Sequence, residues 1–344
     1  MTKELTKWIA AHRKGNPYFS ANFWIIWSDL DEDAFTSTGR FSQNSATLGP
    51  LEKGAHVSIH KRSGREISTW FWFLPISTGS VKFVLSVGKA RETTRLTYRL
   101  LSRFQGKAQL YPIGHELIRA AVRLSNNFRF EDTEILRGVS YPNPPNEGGA
   151  EIDISPGNAK DFFDRVNEGH RLLKLARIRA PYAEHSFCEY TVHRIGCLSF
   201  HEGAPEVFLA MLTEHLAPRI VEAAKPYQKT TGQFVTYKFP TPIFSSPDSY
   251  GYVVDALKRL PHSAVAVLHA NPYFHALLTN YEDGRQFDVY ITDPSTIFVE
   301  GHGDIQPASF VRVQNSIALV FQDASIAVER PRKASLKDFL GEHV

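Results

Sequence analysis

The chain has 344 residues, a formal net charge of +3 at pH 7 and a hydrophobic content of 42%. This composition excludes an intrinsically disordered chain, and the length exceeds the usual size of one domain, so we expect two domains. Only two cysteines are present, which excludes a disulfide scaffold and favours a reducing compartment. Because no apolar run reaches the length of a secretory signal or a membrane span, we expect a cytoplasmic protein.

The first half of the chain predicts an amphipathic helix, a group of strands and two basic helices. Aromatic and β-branched runs, separated by turn-forming residues at 63–64 and 77–80, indicate an antiparallel meander. In chain order, the predicted elements are a helix (1–15), strands (22–30, 56–62, 66–76 and 81–88), a helix (90–107), a short strand (108–112) and a helix (115–125).

A segment rich in proline and glycine follows these elements. Residues 140–149 contain three prolines and two glycines, a composition that is typical of a linker. We therefore predict a basic α+β domain over residues 1–139, a linker over 140–150 and a C-terminal α+β domain over 151–344.

The second half of the chain predicts helices followed by a group of strands. Ser155 and Pro156 are typical of the first residues of a helix, and Pro205 starts a second helix that Pro218 should bend or break. The other predicted elements are a strand (151–155), a strand pair (189–201), a helix (250–260) and a meander (264–322) with a hairpin turn (282–284). Since helices and strands do not alternate strictly, we predict an α+β fold of two mostly antiparallel β-meanders with packed helices, in two domains.

Positive charge is concentrated in one part of the sequence. Residues 51–123 contain thirteen lysines and arginines and four acidic residues. Residues 124–170 contain four lysines and arginines and nine acidic residues. Four arginines of the basic part recur at four-residue intervals, and we call them the arginine stripe: Arg91, Arg95, Arg99 and Arg103. Around a helix, the stripe lies opposite an apolar side made mainly of leucines, so burial of the helix does not require the arginines.

The arginine stripe repels itself, because like charges four residues apart destabilise a helix by roughly a few tenths of a kcal/mol per pair. Three explanations are open. A phosphate backbone would offset the repulsion, since guanidinium groups pair with phosphate oxygens through two hydrogen bonds. The acidic residues of 124–170 would offset it through a salt-bridge network, or the stripe is simply a solvated surface.

The first explanation predicts a protein that binds nucleic acid through sequence-nonspecific contacts to the phosphate backbone. Its C-terminal half would then serve assembly into a homo-oligomer or bind another protein. A non-catalytic protein–protein interaction subunit is an alternative function. The basic residues expected at the nucleic-acid interface are Arg91, Arg95, Arg99, Arg103, Lys107, Arg119, Arg123, Lys61, Arg62 and Arg65.

Both cysteines lie in a short segment that also contains histidines. On a strand, His193, Cys197 and His201 would point to one side of the sheet. Zinc binds nitrogen and sulfur ligands of this kind, although the C-x2-C spacing of structural zinc sites is missing. Ordinary buried residues and a Cys–His nucleophilic pair are the alternatives. The candidate metal ligands are His185, Cys188, His193, Cys197 and His201.

Another candidate site follows the first predicted strand. Asp29 and Asp31 are placed to hold Mg2+ for phosphoryl or nucleotidyl transfer, or else to cap a turn. With His56 and Asp153 further along, their order resembles the archaeo-eukaryotic primase family, which has a D-x-D motif, a G-x-H motif and a later acidic residue. The chain departs from that family at residues 51–53, where the usual Ser-Gly is absent. The resemblance implies a metal-dependent nuclease or primase-like nucleotidyltransferase with these four residues as its catalytic groups.

Other catalytic motifs are missing from the sequence. It has no Walker A loop, dinucleotide-binding glycine fingerprint, H-E-x-x-H motif or G-x-S-x-G elbow, which disfavours ATP, NAD and serine-hydrolase chemistry. The sequence therefore leaves open whether the protein is an enzyme. We expect no cofactor unless one of the two candidate sites binds Mg2+ or Zn2+.

Overall fold

The structure is a computed structural model. It describes residues 2–14, 20–28, 30, 54–60, 63–74, 76, 79–104, 107–122, 132–142, 152–154, 156–168, 171–182, 186–228, 234–260, 262–270, 273–281, 284–303, 305, 307–318, 320–321 and 324–327. It confirms the prediction of an α+β fold with two antiparallel sheets.

Within the described residues, eleven strands form the larger sheet. They are β1 (Ala21–Ser28), β2 (Gly54–His60), β3 (Glu66–Phe73), β4 (Val81–Val87), β5 (Ala108–Leu110), β6 (Glu134–Pro142), β7 (Ile152–Ile154), β8 (Gly157–Asn158), β9 (Arg171–Tyr182), β10 (Ser186–His193) and β11 (Cys197–Gly203). The main strand order is β2-β3-β4-β1-β11-β10-β9-β6-β7, with β5 beside β1 and β8 beside β6. Of the four strands predicted as the first meander, β2-β3-β4 follow one another as expected. Strand β1 does not pair with β2 but lies beside β4, and it joins the meander to the strands of the second half.

The larger sheet takes strands from both sides of the predicted linker. Strand β6 extends to Pro142, so residues 140–142 belong to the sheet. Residues 143–150 lie outside the described part of the chain. The division into two domains at 140–150 stays a prediction.

In the part of the chain that the structure describes, the predicted second meander (264–322) is a set of strands only up to residue 301. Its end was wrong, because residues 316–318 belong to a helix (Pro307–Ala318) whose apolar residues Phe310, Val313 and Ile317 recur at helical spacing. The C-terminal part of the chain thus forms a smaller sheet. Its described strands are β12 (Phe234–Lys238), β13 (Ser263–His269), β14 (Phe274–Asn280), β15 (Gln286–Asp293), β16 (Thr296–Gly301) and β17 (Ser325–Ala327). Their order is β13-β14-β15-β16-β12-β17, so β13 lies at one edge. Of the predicted hairpin turn between β14 and β15, residues 282 and 283 lie outside the described residues, and Gly284 has a positive φ of 69°.

Helices pack against both sheets. The described α-helices are α1 (Thr2–Lys14), α2 (Ala90–Leu101), α3 (His115–Val122), α4 (Ala159–Glu168), α5 (Pro205–Ala210), α6 (Ala217–Gln228), α7 (Tyr250–Lys258) and α8 (Pro307–Ala318). A 3-10 turn over Ser102–Phe104 continues α2, and a π-helical segment over Met211–Leu216 joins α5 to α6. No described helix has both the length and the apolar character needed to cross a membrane.

The predicted start of one helix was wrong, and of the bend or break predicted at Pro218 the break does not occur. Helix α4 begins at Ala159 rather than at Pro156, because the side-chain oxygen of Asn158 accepts the amide hydrogen of Asp161 at 2.8 Å and caps the helix there. Pro218 does not break its helix. The π-helical turn that precedes Pro218 widens the backbone at the point where the ring would clash and the amide hydrogen is missing.

The larger sheet is covered on its two faces by different helices. On one face, Leu96 and Leu100 of α2 pack in a cluster with Trp24, Val57 and Phe71 of the sheet. The opposite face carries the main core, to which α1, α3, α4, α5 and α6 contribute and which extends to the smaller sheet. Helix α2 is therefore the outer layer on its side of the molecule.

Candidate nucleic-acid interface

Helix α2 has the two sides that the sequence predicts. Its buried residues include Leu96, Leu100 and Leu101, and the 3-10 turn adds the buried Phe104. Each buried leucine stabilises the contact with the sheet by about 1.5–3 kcal/mol, so apolar packing alone is enough to hold the helix in place. The arginines on its other side are available for a different task.

Three members of the arginine stripe, Arg91, Arg95 and Arg99, are exposed on α2. They recur about every 6 Å along the helix axis, which is comparable to the spacing of phosphates along an extended strand. Within the described part of the chain, none of these three guanidinium groups forms an ion pair. Arg103 differs because it lies in the 3-10 turn and is half-buried.

Two of the acidic residues of 124–170 that the structure describes pair with arginines outside the stripe. Asp153 forms an ion pair with Arg137 at 3.1 Å, and Glu134 lies 3.9 Å from Arg179. None of the carboxylates described in that segment contacts the exposed stripe. This observation weighs against an internal salt-bridge network as the counter-charge of the stripe.

Tyr98 lies on the exposed side of α2 among the arginines, three residues after Arg95 and one before Arg99. The side chain is 49% exposed. Exposed aromatic rings beside arginines provide surfaces on which the bases of a single strand stack. The sequence analysis missed Tyr98, although its position on the charged side of an amphipathic helix is a recognisable signal.

The sheet face beneath α2 continues, without a helix of the described residues on it, across β11, β10 and β9. Cys197 packs under α2, and Ser199 and His201 follow it on the same side because side chains alternate along a strand. Across from them on β10, Thr191 has its hydroxyl 2.7 Å from Nε2 of His201. The face is therefore polar beyond α2, although Ser199 and Thr191 are themselves buried.

A buried carboxylate holds two arginines on this polar face. The side chain of Glu189 is 3% exposed, and its two oxygens accept hydrogen bonds from Nε of Arg177 at 2.7 Å and from Nη2 of Arg179 at 3.0 Å. Burial alone would raise the pKa of Glu189, but the hydrogen bonds and charges of the two arginines outweigh it and lower the pKa. The arginines themselves remain about half exposed, so each presents a fixed guanidinium group at the surface.

Two histidines of the polar face are held neutral at physiological pH. Burial is the main cause that lowers the pKa of His193 to about 4, and the charges of Lys174 and Arg137 add to it. Burial and the charge of Arg177 lower the pKa of His201 to about 4 as well. Desolvation is the largest cause at both rings, and neighbouring cations add to it by disfavouring a further positive charge.

The predicted metal ligands are only partly brought together. His193, Cys197 and His201 lie on one side of the larger sheet, whereas Cys188 lies in the core on the opposite side and residue 185 is outside the described residues. Among the residues that the structure describes, no three histidine, cysteine or acidic side chains are placed to hold a metal ion. Burial raises the pKa of both thiols, that of Cys197 to about 12, which disfavours the thiolate that a nucleophilic cysteine requires.

The remaining basic candidates are dispersed. Lys107 is exposed just after the 3-10 turn that ends the stripe, and Arg65 is exposed in the turn between β2 and β3. Arg119 belongs to α3, on the opposite side of the sheet, where it lies 3.6 Å from Glu116 and over the ring of Phe163. The structure thus places Arg119 away from the stripe. The other three candidates, Lys61, Arg62 and Arg123, lie outside the described residues.

The residues that suggest a primase-like site are not assembled by the described strands. His56 lies on β2 with its ring 5.2 Å from that of Trp70, and Asp153 lies on β7. These strands are the two ends of the main strand order, so the two side chains do not share a site at one sheet edge. Asp29 and Asp31 lie outside the described residues, and a phosphodiester enzyme stays an untested alternative.

Comparison with known proteins adds no family to this description. No protein-family model matches the chain, and no curated protein matches it.

Proposed function

We propose that this protein binds single-stranded nucleic acid along the exposed side of α2, through contacts to the phosphate backbone of the strand. The observation that carries the proposal is the row of three exposed guanidinium groups, one helical turn apart, with no ion pair to any described residue. Guanidinium groups bind phosphate oxygens through paired hydrogen bonds, and release of counterions from the strand drives the association. Such contacts give affinity without sequence specificity.

The polar face of the larger sheet supports the proposal because it extends the basic surface beyond α2. Arg177 and Arg179 present half-exposed guanidinium groups that Glu189 holds in fixed orientations. A preorganised arginine loses less conformational freedom when it binds phosphate than a free one does. A strand that follows the stripe would continue over these groups.

Tyr98 supports a preference for single strands. A base that is already unstacked from its partner strand is free to stack on the ring, whereas bases inside a duplex are not. Stacking contributes about 1–3 kcal/mol per base in proteins of this kind. We therefore expect single strands to bind more tightly than a duplex of the same length.

The experiment that tests the proposed function is a fluorescence anisotropy titration with single-stranded DNA, single-stranded RNA and duplex DNA of equal length. It is performed at low and at physiological salt, with Mg2+ and with EDTA, and with polyglutamate as a polyanion control. We expect single strands to bind most tightly and their affinity to fall steeply as the salt concentration rises. The strands should be recovered intact after incubation with Mg2+. Absence of binding to every nucleic acid at low salt, or equal binding of polyglutamate, would rule out the proposal. Mg2+-dependent cleavage would instead support the enzyme alternative.

We also propose, in addition to nucleic-acid binding, that the C-terminal half mediates assembly into a homo-oligomer. Strand β13 is at the edge of the smaller sheet, and Val267 and Leu268 on it are 45% and 55% exposed. Exposed apolar side chains on an edge strand favour pairing with another chain. The mass in solution, measured by light scattering, decides between a monomer and a homo-oligomer.

A further inference from the structure

A cavity of about 330 Å³ lies between α2 and β5 of the larger-sheet layer and α7 and α8 beside the smaller sheet. Its volume is within the range of pockets that hold small organic ligands. The residues that line it come from positions as far apart as Tyr98 and Asn315, and none of them belonged to a predicted site. The fold alone brings them together.

The cavity has a cationic lining. Arg194 and Arg312 contribute to its wall although they are only 1% and 7% exposed, and Arg259 and His262 are exposed at its edge. Among the described residues that line the cavity, none is an aspartate or a glutamate. The cavity opens to solvent at Arg259, which forms no ion pair with a described residue, so this guanidinium group favours an anionic ligand.

The position of Arg194 is fixed by the backbone around it. It lies in the turn between β10 and β11, where its amide donates to the carbonyl of Lys174 at 2.8 Å and its carbonyl accepts from the amide of Ile113 at 2.9 Å. Its Nη2 donates to the carbonyl of Phe321 at 3.0 Å. The guanidinium group is therefore held in one place before any ligand arrives, which lowers the entropic cost of binding.

The remaining wall of the cavity is apolar and suits a flat ring. Leu101, Leu110, Pro112, Ile195 and Leu260 line it. Inorganic phosphate alone would leave this wall exposed to water, whereas an apolar ligand would leave Arg259 without an anion. A ligand with both a planar ring and a phosphate satisfies both parts of the site.

Tyr98 joins the cavity to the exposed side of α2, because it belongs to both the cavity wall and the surface that carries the stripe. We infer that the cavity binds a nucleoside monophosphate, either as the phosphorylated end of a bound strand or as a free nucleotide. In the first form the inference rests on the proposed function, since the strand along α2 would deliver its end to the cavity. In the second form it is independent of the stripe.

The test uses the full chain, the variant Arg259→Glu and the control Lys258→Glu. Both residues are exposed, so both variants should unfold at the temperature of the unmodified protein, but only Arg259 lines the cavity. If Arg259→Glu is unstable, Arg259→Gln replaces it. Binding of AMP is measured by calorimetry, and binding of four single strands is measured by anisotropy. The strands carry a 5′-phosphate, a 3′-phosphate or hydroxyl ends, and the fourth is closed into a circle.

We expect either AMP binding or a preference of about tenfold for a phosphorylated end over hydroxyl ends, because at least one charged hydrogen bond is gained. The signal should be lost in Arg259→Glu and kept in Lys258→Glu. An end preference without AMP binding assigns the site to strand ends, and AMP binding without an end preference assigns it to free nucleotides. Absence of both signals, or their persistence in Arg259→Glu, overturns the inference.

The circular strand separates this inference from the proposed function. It has no end to offer, so its binding reports contacts along α2 alone. Binding of the circle without AMP binding or an end preference leaves the proposed function standing and the cavity site refuted. AMP binding that depends on Arg259, without binding of the circle, supports the cavity site and refutes the proposed function.

Discussion

Replacing Arg95 and Arg99 together by glutamate is expected to weaken binding of a single strand at least about 100-fold, because two charged contacts to phosphate are lost. The same change should leave the thermal unfolding temperature unchanged or slightly raised. Both arginines are exposed, and their replacement turns the repulsive pairs with Arg91 and Arg103 into attractive ones, while one like-charge pair remains between positions 95 and 99. Anisotropy titration and thermal denaturation of the same samples measure the two effects.

A matched control separates local contacts from overall charge. Lys160 of α4 and Arg219 of α6 are also exposed, so Lys160→Glu with Arg219→Glu changes the net charge by the same amount elsewhere on the surface. We expect this control to bind nearly as well as the unmodified protein at physiological salt, where distant exposed charges are screened. Retained binding by the folded Arg95→Glu, Arg99→Glu variant would refute the role of α2.

Gly196→Ala is expected to be the most damaging small substitution near the cavity. Gly196 ends the turn that holds Arg194 and has a φ of +88°, and an added Cβ would lie 2.1 Å from the carbonyl oxygen of Tyr111. Backbone strain and a clash with a backbone atom act together, so the free energy of unfolding should fall by about 3 kcal/mol or more. Urea denaturation measures this loss.

Gly64→Ala is the control for the backbone strain alone. Gly64 has a φ of +78°, but no atom lies within 4 Å of an added Cβ. We expect it to lower the free energy of unfolding by only about 1–2 kcal/mol, the cost of a left-handed conformation for a residue with a side chain. Equal losses in the two variants would mean that the contact between Gly196 and Tyr111 is not tightly packed.

Local patterns predicted most of the individual strands and helices. Alternation and aromatic content identified β1 and the β2-β3-β4 meander, and the spacing of Leu96 and Leu100 identified the buried side of α2. These signals depend on neighbours within a few residues, which sequence patterns report well. The wrong start of α4 has the same origin, because Pro156 and Asn158 carry competing local signals and the cap at Asn158 prevails.

The arrangement of the strands was beyond sequence reasoning. Ala21 of β1 pairs with Phe200 of β11, in the other half of the chain, and no local pattern specifies such a partner. For this reason, the proline-rich segment predicted a linker at a point where one sheet in fact takes strands from both sides. Long-range pairing depends on the complementarity of whole faces, which a single sequence does not reveal.

The sequence likewise predicted one part of the candidate site but not the rest. The exposed arginines of α2 followed from helical periodicity alone. The Glu189 clamp on Arg177 and Arg179 and the cavity lined by Arg194, Arg259 and Arg312 were not predicted, because each depends on contacts between separate elements. A row of charges along one helix is visible in a sequence, whereas a cavity is not.

The most direct test of the central claim is the salt dependence of single-strand binding by the unmodified protein and by a variant with Arg91, Arg95 and Arg99 changed to glutamine. Each phosphate contact to a single strand contributes about −0.7 to the slope of log K against log salt concentration. We predict that the slope of the variant is shallower by about 2, since three contacts are removed. Identical slopes would show that the exposed arginines of α2 do not bind phosphate, and would contradict the account.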